Sequence, residues 1–332
     1  MSEQSVGIKV SVVIPTKNAG PILKDVLDAV FVQQTDWPYE VVIVDSGSSD
    51  GTVELIKKYS SIRLIEISPN EFGHGRTRNF AVSKSSGEFV AMITQDALPM
   101  HNKWLSSLVD TMESDPCIAG VFGRHIAYPD ANPFTKEELV EHFKGFLTKP
   151  VVELDDPDRY KVDEGYRQFL YFFSDNNALL RKSVWEEINY PEVDFAEDQA
   201  WARLIIEAGY KKAYSDDAVV SHSHDYGLLE RLQRSFDEAF ALRRLFNYQY
   251  GQGLKYAIRG FLALTFRDFR FALNNGVFKT GVFIVALMPV DNFMRVIGQY
   301  LGAKGNRLPE FLRMKLSRDR KLMMVSMAKN SR

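Results

Sequence analysis

The side chains best suited to chemistry stand where apolar runs stop. Phe89 to Ile93 is a β-prone apolar run that breaks at Thr94-Gln95-Asp96, with Pro99 three residues beyond the acid. A buried strand ends this way when it delivers a carboxylate to the rim of a sheet. In open α/β sheets, ligands bind outside the carboxyl ends of the strands, so Asp96 is the first candidate. Val10 to Ile14 leads likewise into Pro15-Thr16-Lys17-Asn18, and Glu40 to Val44 into Asp45-Ser46-Gly47-Ser48-Ser49-Asp50. Asp45 is placed to accept hydrogen bonds from a nucleoside; it fits equally a turn residue satisfied by its own loop. Asp50, before Gly51-Thr52 and a helix, suits capping as well as ligand contact.

Phe72-Gly73-His74-Gly75-Arg76-Thr77-Arg78-Asn79 combines two glycines, a histidine and two cations. Before a helix, such a loop approaches a diphosphate through backbone N–H groups and guanidinium charge; the alternative is a surface loop with solvated arginines. His222-Ser223-His224 puts two imidazoles on one face of a strand. With Asp96 they would hold a divalent cation, unless both rings are structural. Glu197-Asp198 opens a helix, where acids are expected from the macrodipole and capping. To act as a general base, either must face the same pocket as Asp96. Asp175 and Asn176 sit in a polar insert within the apolar stretch Phe169 to Leu180.

The elements that must position these groups follow from periodicity. Strands at Val10 to Ile14, Glu40 to Val44, Ile62 to Ile67 and Phe89 to Ile93 alternate with helices at Ile22 to Val32, Thr52 to Tyr59 and Gly75 to Lys84. That alternation implies right-handed βαβ units and a parallel sheet. Further on, Trp104 to Met112 predicts a helix, Ile118 to Tyr128 a strand pair, and Thr135 to Asp163 a helix plus a mobile loop. Glu197 to Ala208 has helical spacing and Ala218 to His224 suits a short strand or loop. From Leu228 the chain turns helical, and Tyr256 to Leu273 and Val277 to Leu301 mix large apolar residues with Arg and Lys. These helices either pack on the main domain or lie on a membrane surface. Neither reading makes them transmembrane, because no uninterrupted apolar run reaches the roughly 20 residues needed to span a bilayer.

A net charge of -2 argues against a dedicated nucleic-acid binder, but the charge is uneven. Ala303 to Arg332 carries nine Lys or Arg against two acids, a net +7 that leaves -9 on the rest. A basic tail on an acidic body suggests contact with phosphate or an anionic membrane. The single cysteine, Cys117, excludes an internal disulfide framework and fits a reducing compartment. Met1 to Lys9 lacks the apolar core of a secretory signal, so the expected location is cytoplasmic. No Gly-x-Gly-x-x-Gly follows the first strand, which disfavours a nicotinamide-dependent oxidoreductase.

Taken in order, Ile14-Pro15-Thr16-Lys17-Asn18, Val44-Asp45 through Thr52, His74 to Asn79, Thr94-Gln95-Asp96-Ala97, Glu197-Asp198 and His222-Ser223-His224 make the chain resemble the family 2 glycosyltransferases. Thr-Gln-Asp-Ala together with His-Gly-x-Thr-Arg-Asn is similar to the bacterial rhamnosyltransferases within them. The resemblance implies an A-type nucleotide-sugar fold over residues 1–225, with a nucleotide half at about 8–100 and an acceptor half at about 101–225. A helical extension over 226–332 would follow. By resemblance, Pro15, Thr16 and Asp45 contact the base and ribose, and Asn18, Ser46, Arg76, Arg78, Gln95 and Asp96 complete the donor site. Asp96 would hold Mg²⁺ or Mn²⁺ with His222 or His224. Asp198 would be the base of an inverting transfer, with Glu197, Asp175 and Asn176 near the acceptor. The implied donor is dTDP-L-rhamnose, and the implied acceptor a lipid-linked cell-surface glycan reached by peripheral membrane contact. Another donor (UDP-hexose or GDP-mannose) and a non-catalytic sugar-binding relative are the alternatives. The sequence departs from the family's usual Asp-x-Asp triplet in carrying Thr94 as its first residue, which weakens a carboxylate contact and gives the histidines more weight.

Overall fold

The computed structural model describes residues 7–193, 195–248 and 253–319. Nine strands, β1 (Val10–Thr16), β2 (Tyr39–Asp45), β3 (Ile62–Glu66), β4 (Phe89–Ile93), β5 (Leu98–Pro99), β6 (Ile118–Ile126), β7 (Val151–Val152), β8 (Asn177–Arg181) and β9 (Lys211–Ser221), form one sheet. Its order is β3-β2-β1-β4-β8-β6-β9-β5, with β7 on β9. β3, β2, β1 and β4 run parallel, as the alternation with helices requires. Beyond them β8 pairs antiparallel with both β4 and β6, so the sheet as a whole is mixed.

β1 and β4 are buried along nearly their whole length, which explains their continuous apolar runs. In the helix Ile22–Phe31, Leu23, Val26, Leu27 and Val30 fall at the spacing of one helical face and are fully buried against this sheet. The parallel register sets Thr16 opposite Asp45, so the loops after β1 and β2 leave the same edge. Asp96 follows β4 on that edge.

Three local expectations change. Ile118–Ile126 is one nine-residue strand rather than a pair, since the glycines inside it meet packed neighbours instead of making a turn. The segment expected to hold a mobile loop forms the helices Pro133–Lys144 and Pro157–Val162 with β7 between them. Asp156 caps the second helix by accepting from the Arg159 N–H (2.8 Å). The short strand expected from 218 starts seven residues earlier, at Lys211, because β9 lies beside β6 with an irregularity at Gly123/Arg124.

The described residues form two compact units, one of 7–129, 136–193 and 197–223, the other of 130–135, 195–196 and 224–319. The second is helical. Its helix Val282–Ala303 lies along Leu228–Phe246 with Gly298 and Gly302 at the contact, where an added Cβ would come within 2.4 Å and 2.3 Å of the Leu232 and Phe236 carbonyl oxygens. Only glycine lets the two backbones approach that closely. Phe236 and Phe240 are buried there against Leu301, Leu308 and Met314. The end of the basic tail, 320–332, lies outside the described residues.

Candidate active site

At the carboxyl edge of the parallel strands the three loops are sewn together. Asp45 is fully buried; its Oδ1 accepts from the backbone N–H groups of Gly47 (2.9 Å) and Ser48 (2.8 Å). Its Oδ2 accepts from Thr16 Oγ1 (2.8 Å) and Ser48 Oγ (2.6 Å). The turn role foreseen as an alternative is therefore present, and a nucleoside reaching Asp45 would have to displace the Ser48 hydroxyl. Ser46 Oγ donates to the Thr16 carbonyl (3.1 Å), Asn18 Oδ1 accepts from Ser49 N–H (2.8 Å), and Gln95 Oε1 accepts from Lys17 N–H (2.8 Å). Pro15 lies between these contacts at the end of β1 and is partly exposed. Asn18 has a left-handed φ of 47°, which turns the chain sharply after β1. Asp50 Oδ1 accepts from the Thr52 N–H (3.1 Å) and Thr52 Oγ1 (2.6 Å) at the start of the helix Thr52–Ile56, whose N-cap position is Gly51.

Asp96 and His222 approach to 3.6 Å (Oδ1 to Nε2), and with His224 two residues further along the chain the three offer ligand atoms all within 4.8 Å of one another. The Thr94 hydroxyl, two residues before Asp96, and the Ser221 hydroxyl, next to His222, are buried with no hydrogen-bond partner among the described residues. Buried orphan oxygens call for a water or an ion. One carboxylate, two imidazoles and nearby orphan hydroxyls fit a divalent cation that keeps open coordination positions. The imidazoles suit Mn²⁺ better than the oxygen-demanding Mg²⁺. The Tyr128 hydroxyl donates to the Asp96 carbonyl, a contact with no signal in the sequence.

The glycine-rich motif is resolved differently from its expectation. The helix His74–Ser83 starts inside it. A Cβ on Gly75 would lie 2.2 Å from the Pro191 carbonyl oxygen, so glycine is what permits that approach. Asn79 ties the same segment by accepting from Trp185 Nε1 (2.9 Å) and donating to the Tyr190 carbonyl (2.9 Å). Arg76 is exposed, whereas Arg78 is 7% exposed. Arg78 Nε lies 3.0 Å from Asp175 Oδ2 and its Nη1 2.6 Å from Glu197 Oε1. The cation expected at a diphosphate is thus committed to two carboxylates.

Those carboxylates enclose Asp198. Asp198 Oδ1 accepts from Gln199 N–H (2.7 Å) and Oδ2 from Asp175 N–H (3.4 Å). Ala196, just before Glu197-Asp198, adopts a left-handed φ of 53° that a side chain rarely takes. Backbone strain of this kind collects at functional sites. Burial, reinforced by the charges of Glu197 and Asp175 and opposed by Arg78, raises the Asp198 carboxyl well above the usual carboxylate range. Burial also pushes Asp175 up to about 6; Arg78 pulls it down, Glu197 adds to the rise and the Tyr190 hydroxyl bond opposes it. Burial works against the charge of Arg78, but Glu197 and Asp175 outweigh it and hold the guanidinium more firmly protonated than usual. Tyr190 donates its hydroxyl to Asp175 Oδ1 (2.6 Å) and was missed in the sequence, where a lone tyrosine between short segments carries no signal. Asn176 is partly exposed beside the cluster. An acid on a helix start, made more basic by burial and by neighbouring carboxylates, can take a proton from a hydroxyl.

Residues 11–188 match the family described as Glycosyl transferase family 2. The chain is 34% identical over 314 residues to the O-antigen chain rhamnosyltransferase RfbN of Salmonella typhimurium, covering 91% of this chain and 92% of the relative. It is 31% identical to the O-antigen chain rhamnosyltransferase WbaN of Salmonella anatum, over 90% of each. Among solved structures, the mannosyltransferase PcManGT of Pyrobaculum calidifontis in complex with GDP-Man and Mn²⁺ superposes with a TM-score of 0.58 at 18% identity, covering 90% of this chain and 86% of that one. Staphylococcus aureus TarS 1–349 in complex with UDP-GlcNAc gives 0.52 at 18% identity, covering 90% and 92%. At such identity these structures speak for the fold.

Proposed function

The chain belongs to glycosyltransferase family 2, and from that premise we propose that it is an inverting rhamnosyltransferase. It moves L-rhamnose from dTDP-L-rhamnose to a hydroxyl of a lipid-linked cell-surface glycan of the O-antigen or capsule type. The observation that carries this reading is the match along nine-tenths of the chain to an O-antigen chain rhamnosyltransferase.

In this reading the acceptor hydroxyl approaches the face of the sugar opposite the diphosphate. Asp198 accepts its proton as the oxygen attacks the anomeric carbon, and the carbon–oxygen bond to the nucleoside diphosphate breaks with inversion. The direction of the Asp198 shift, upward through burial and the neighbouring Glu197 and Asp175 charges, supports the assignment, since it makes the ionised carboxylate a stronger base than a free one. Arg78 positions this base through Glu197 and Asp175 rather than touching the donor. Asn176 and exposed parts of the same cluster face the acceptor. Pro15, Thr16, Asn18, Asp45, Ser46, Gln95 and the exposed Arg76 are assigned to the donor. Asp96, His222 and His224 would hold Mn²⁺ or Mg²⁺, which would supply neutralisation of the charge gathering on the departing diphosphate. The Thr94 hydroxyl, in place of a second acid, suits a neutral contact to ribose or to a bound water. The division of labour runs from a catalytic part over 1–225 to a helical part over 226–332. The enzyme works in the cytoplasm at the inner membrane, which it touches through the C-terminal helices.

The test is a donor panel with a synthetic lipid-linked acceptor, the product linkage being read by NMR. Consumption of dTDP-rhamnose alone, with a product of inverted anomeric configuration, is expected. Turnover of a UDP-hexose or GDP-mannose instead would replace the donor, and binding of sugar nucleotides without any turnover would replace the enzyme by a sugar-binding relative.

A further inference from the structure

The helix Leu254–Asn274 presents an apolar row to solvent, one residue per turn: Leu254, Ile258, Leu262, Phe266, Phe269 and Leu273 are between 45% and 69% exposed. On Val282–Ala303, Val282 and Phe283 are exposed to 65% and 74%. Between the two helices runs an open apolar groove of about 520 Å³, walled by Leu262, Phe266, Phe269, Val282, Val285 and Met288. Contiguous apolar surface on this scale marks a site of association.

Its charges decide with what. Lys255, Arg259, Arg267, Arg270 and Lys279 accompany the face and are exposed, while the one acid in Leu254–Asn274, Asp268, is buried and bonded to Arg267 and Asn292. On a helical wheel Arg259 and Arg270 border the apolar row directly. A second copy meeting this face across a two-fold axis would set like cations against each other. An anionic bilayer accepts both features at once, taking the apolar row below its headgroups and pairing the cations with them.

Among the described residues, Val282–Ala303 is long and apolar enough to cross a membrane by length and composition. The expectation from unbroken runs missed this, because Asp291 and Arg295 interrupt the run without lowering the average far. The helix is nevertheless held within its own unit. Asp291 pairs with Arg231 at 3.1 Å, Asn292 donates to Asp268, and Gly298 and Gly302 press onto Leu228–Phe246. Only its outer face is left for lipid.

We propose that the face formed by Leu254–Asn274 and the first half of Val282–Ala303 inserts in the plane of an anionic phospholipid bilayer, with a lipid chain seated in the groove between them. The inference rests on the peripheral contact proposed above and gives it a surface and a lipid chemistry. Co-sedimentation with phosphatidylcholine vesicles, with and without phosphatidylglycerol, tests it on the full chain. The wild type is expected to sediment with the anionic vesicles. Phe266→Ser/Phe283→Ser should lose binding on the order of 100-fold. Arg259→Gln/Arg270→Gln should lose roughly 30-fold on anionic vesicles only. Both variants should keep wild-type circular dichroism and donor turnover with a soluble acceptor. Wild-type sedimentation of the phenylalanine variant would overturn the proposal, as would a lipid-free dimer that this variant converts to monomer. Failure of the function reading looks different: vesicle binding persists while no sugar is transferred.

Discussion

Asp96 follows the end of β4, Asp198 opens the helix Glu197–Glu207 together with Glu197, and the two acids meet different surroundings. Asp96 stands on the rim with 28% of its side chain exposed, facing imidazole nitrogen at 3.6 Å. Asp198 lies among two further carboxylates and one guanidinium, inside a region where Arg78 and Asp175 are nearly sealed from water. A rim acid beside imidazoles is suited to a cation that arrives with its own ligands. Three carboxylates around one guanidinium cannot all ionise cheaply, so this cluster is suited to holding a proton and exchanging it. In the proposed mechanism this difference assigns the leaving group to the rim and the nucleophile to the buried cluster.

The comparison can be broken first at the rim. Asp96→Ala is expected to lower transfer on the order of 100-fold or more, since cation binding at a developing charge is worth several kcal/mol. Chelation of the wild type should do the same, with recovery on adding Mn²⁺. Full activity in enzyme shown by elemental analysis to be metal-free would remove the rim's assigned role.

The buried side is sharpened by Arg78→Gln, which leaves Asp175 and Glu197 without their cation. Breaking a buried pair from one side costs about 3–5 kcal/mol, and this should appear as a lowered urea midpoint. A raised carboxyl pKa also fixes the sign of the pH dependence. The ionised base is lost as pH falls through the raised value, so the acid limb of kcat/KM should lie above the ordinary carboxylate range. Without the Arg78 charge that favours ionised acids, the limb should move to higher pH. A limb unmoved by the variant would uncouple Arg78 from the base. The stability term runs the other way: Asp175, raised to about 6, contributes stability below the unfolded carboxyl value that is lost as pH rises through about 6.

How much of this was legible follows from the range of the interactions. β1, β2 and β4 were readable because burial makes each a largely apolar run, and the edge strand β3 because its apolar residues follow the same alternation with helices. Asp96 was readable because it ends such a run. The antiparallel insertion of β8 between β4 and β6 was not, since it depends on pairings across distant segments. Asp45 was only half legible: its residue type fixes a polar loop, and its partners Thr16 and Ser48 had to be seen before the satisfied carboxylate was evident. Arg78 was misplaced for the same reason as β8, because both its acids lie roughly a hundred residues away along the chain. The helical unit's exposed row was visible as spacing, but its groove needed two helices side by side.

The most direct test of the account is Asp198→Asn, assayed in parallel for dTDP-rhamnose binding and for transfer to a lipid-linked acceptor. Retained donor affinity with transfer reduced by about 10²- to 10⁴-fold is predicted for the loss of a general base. Transfer at the wild-type rate in a variant that binds donor normally would contradict it.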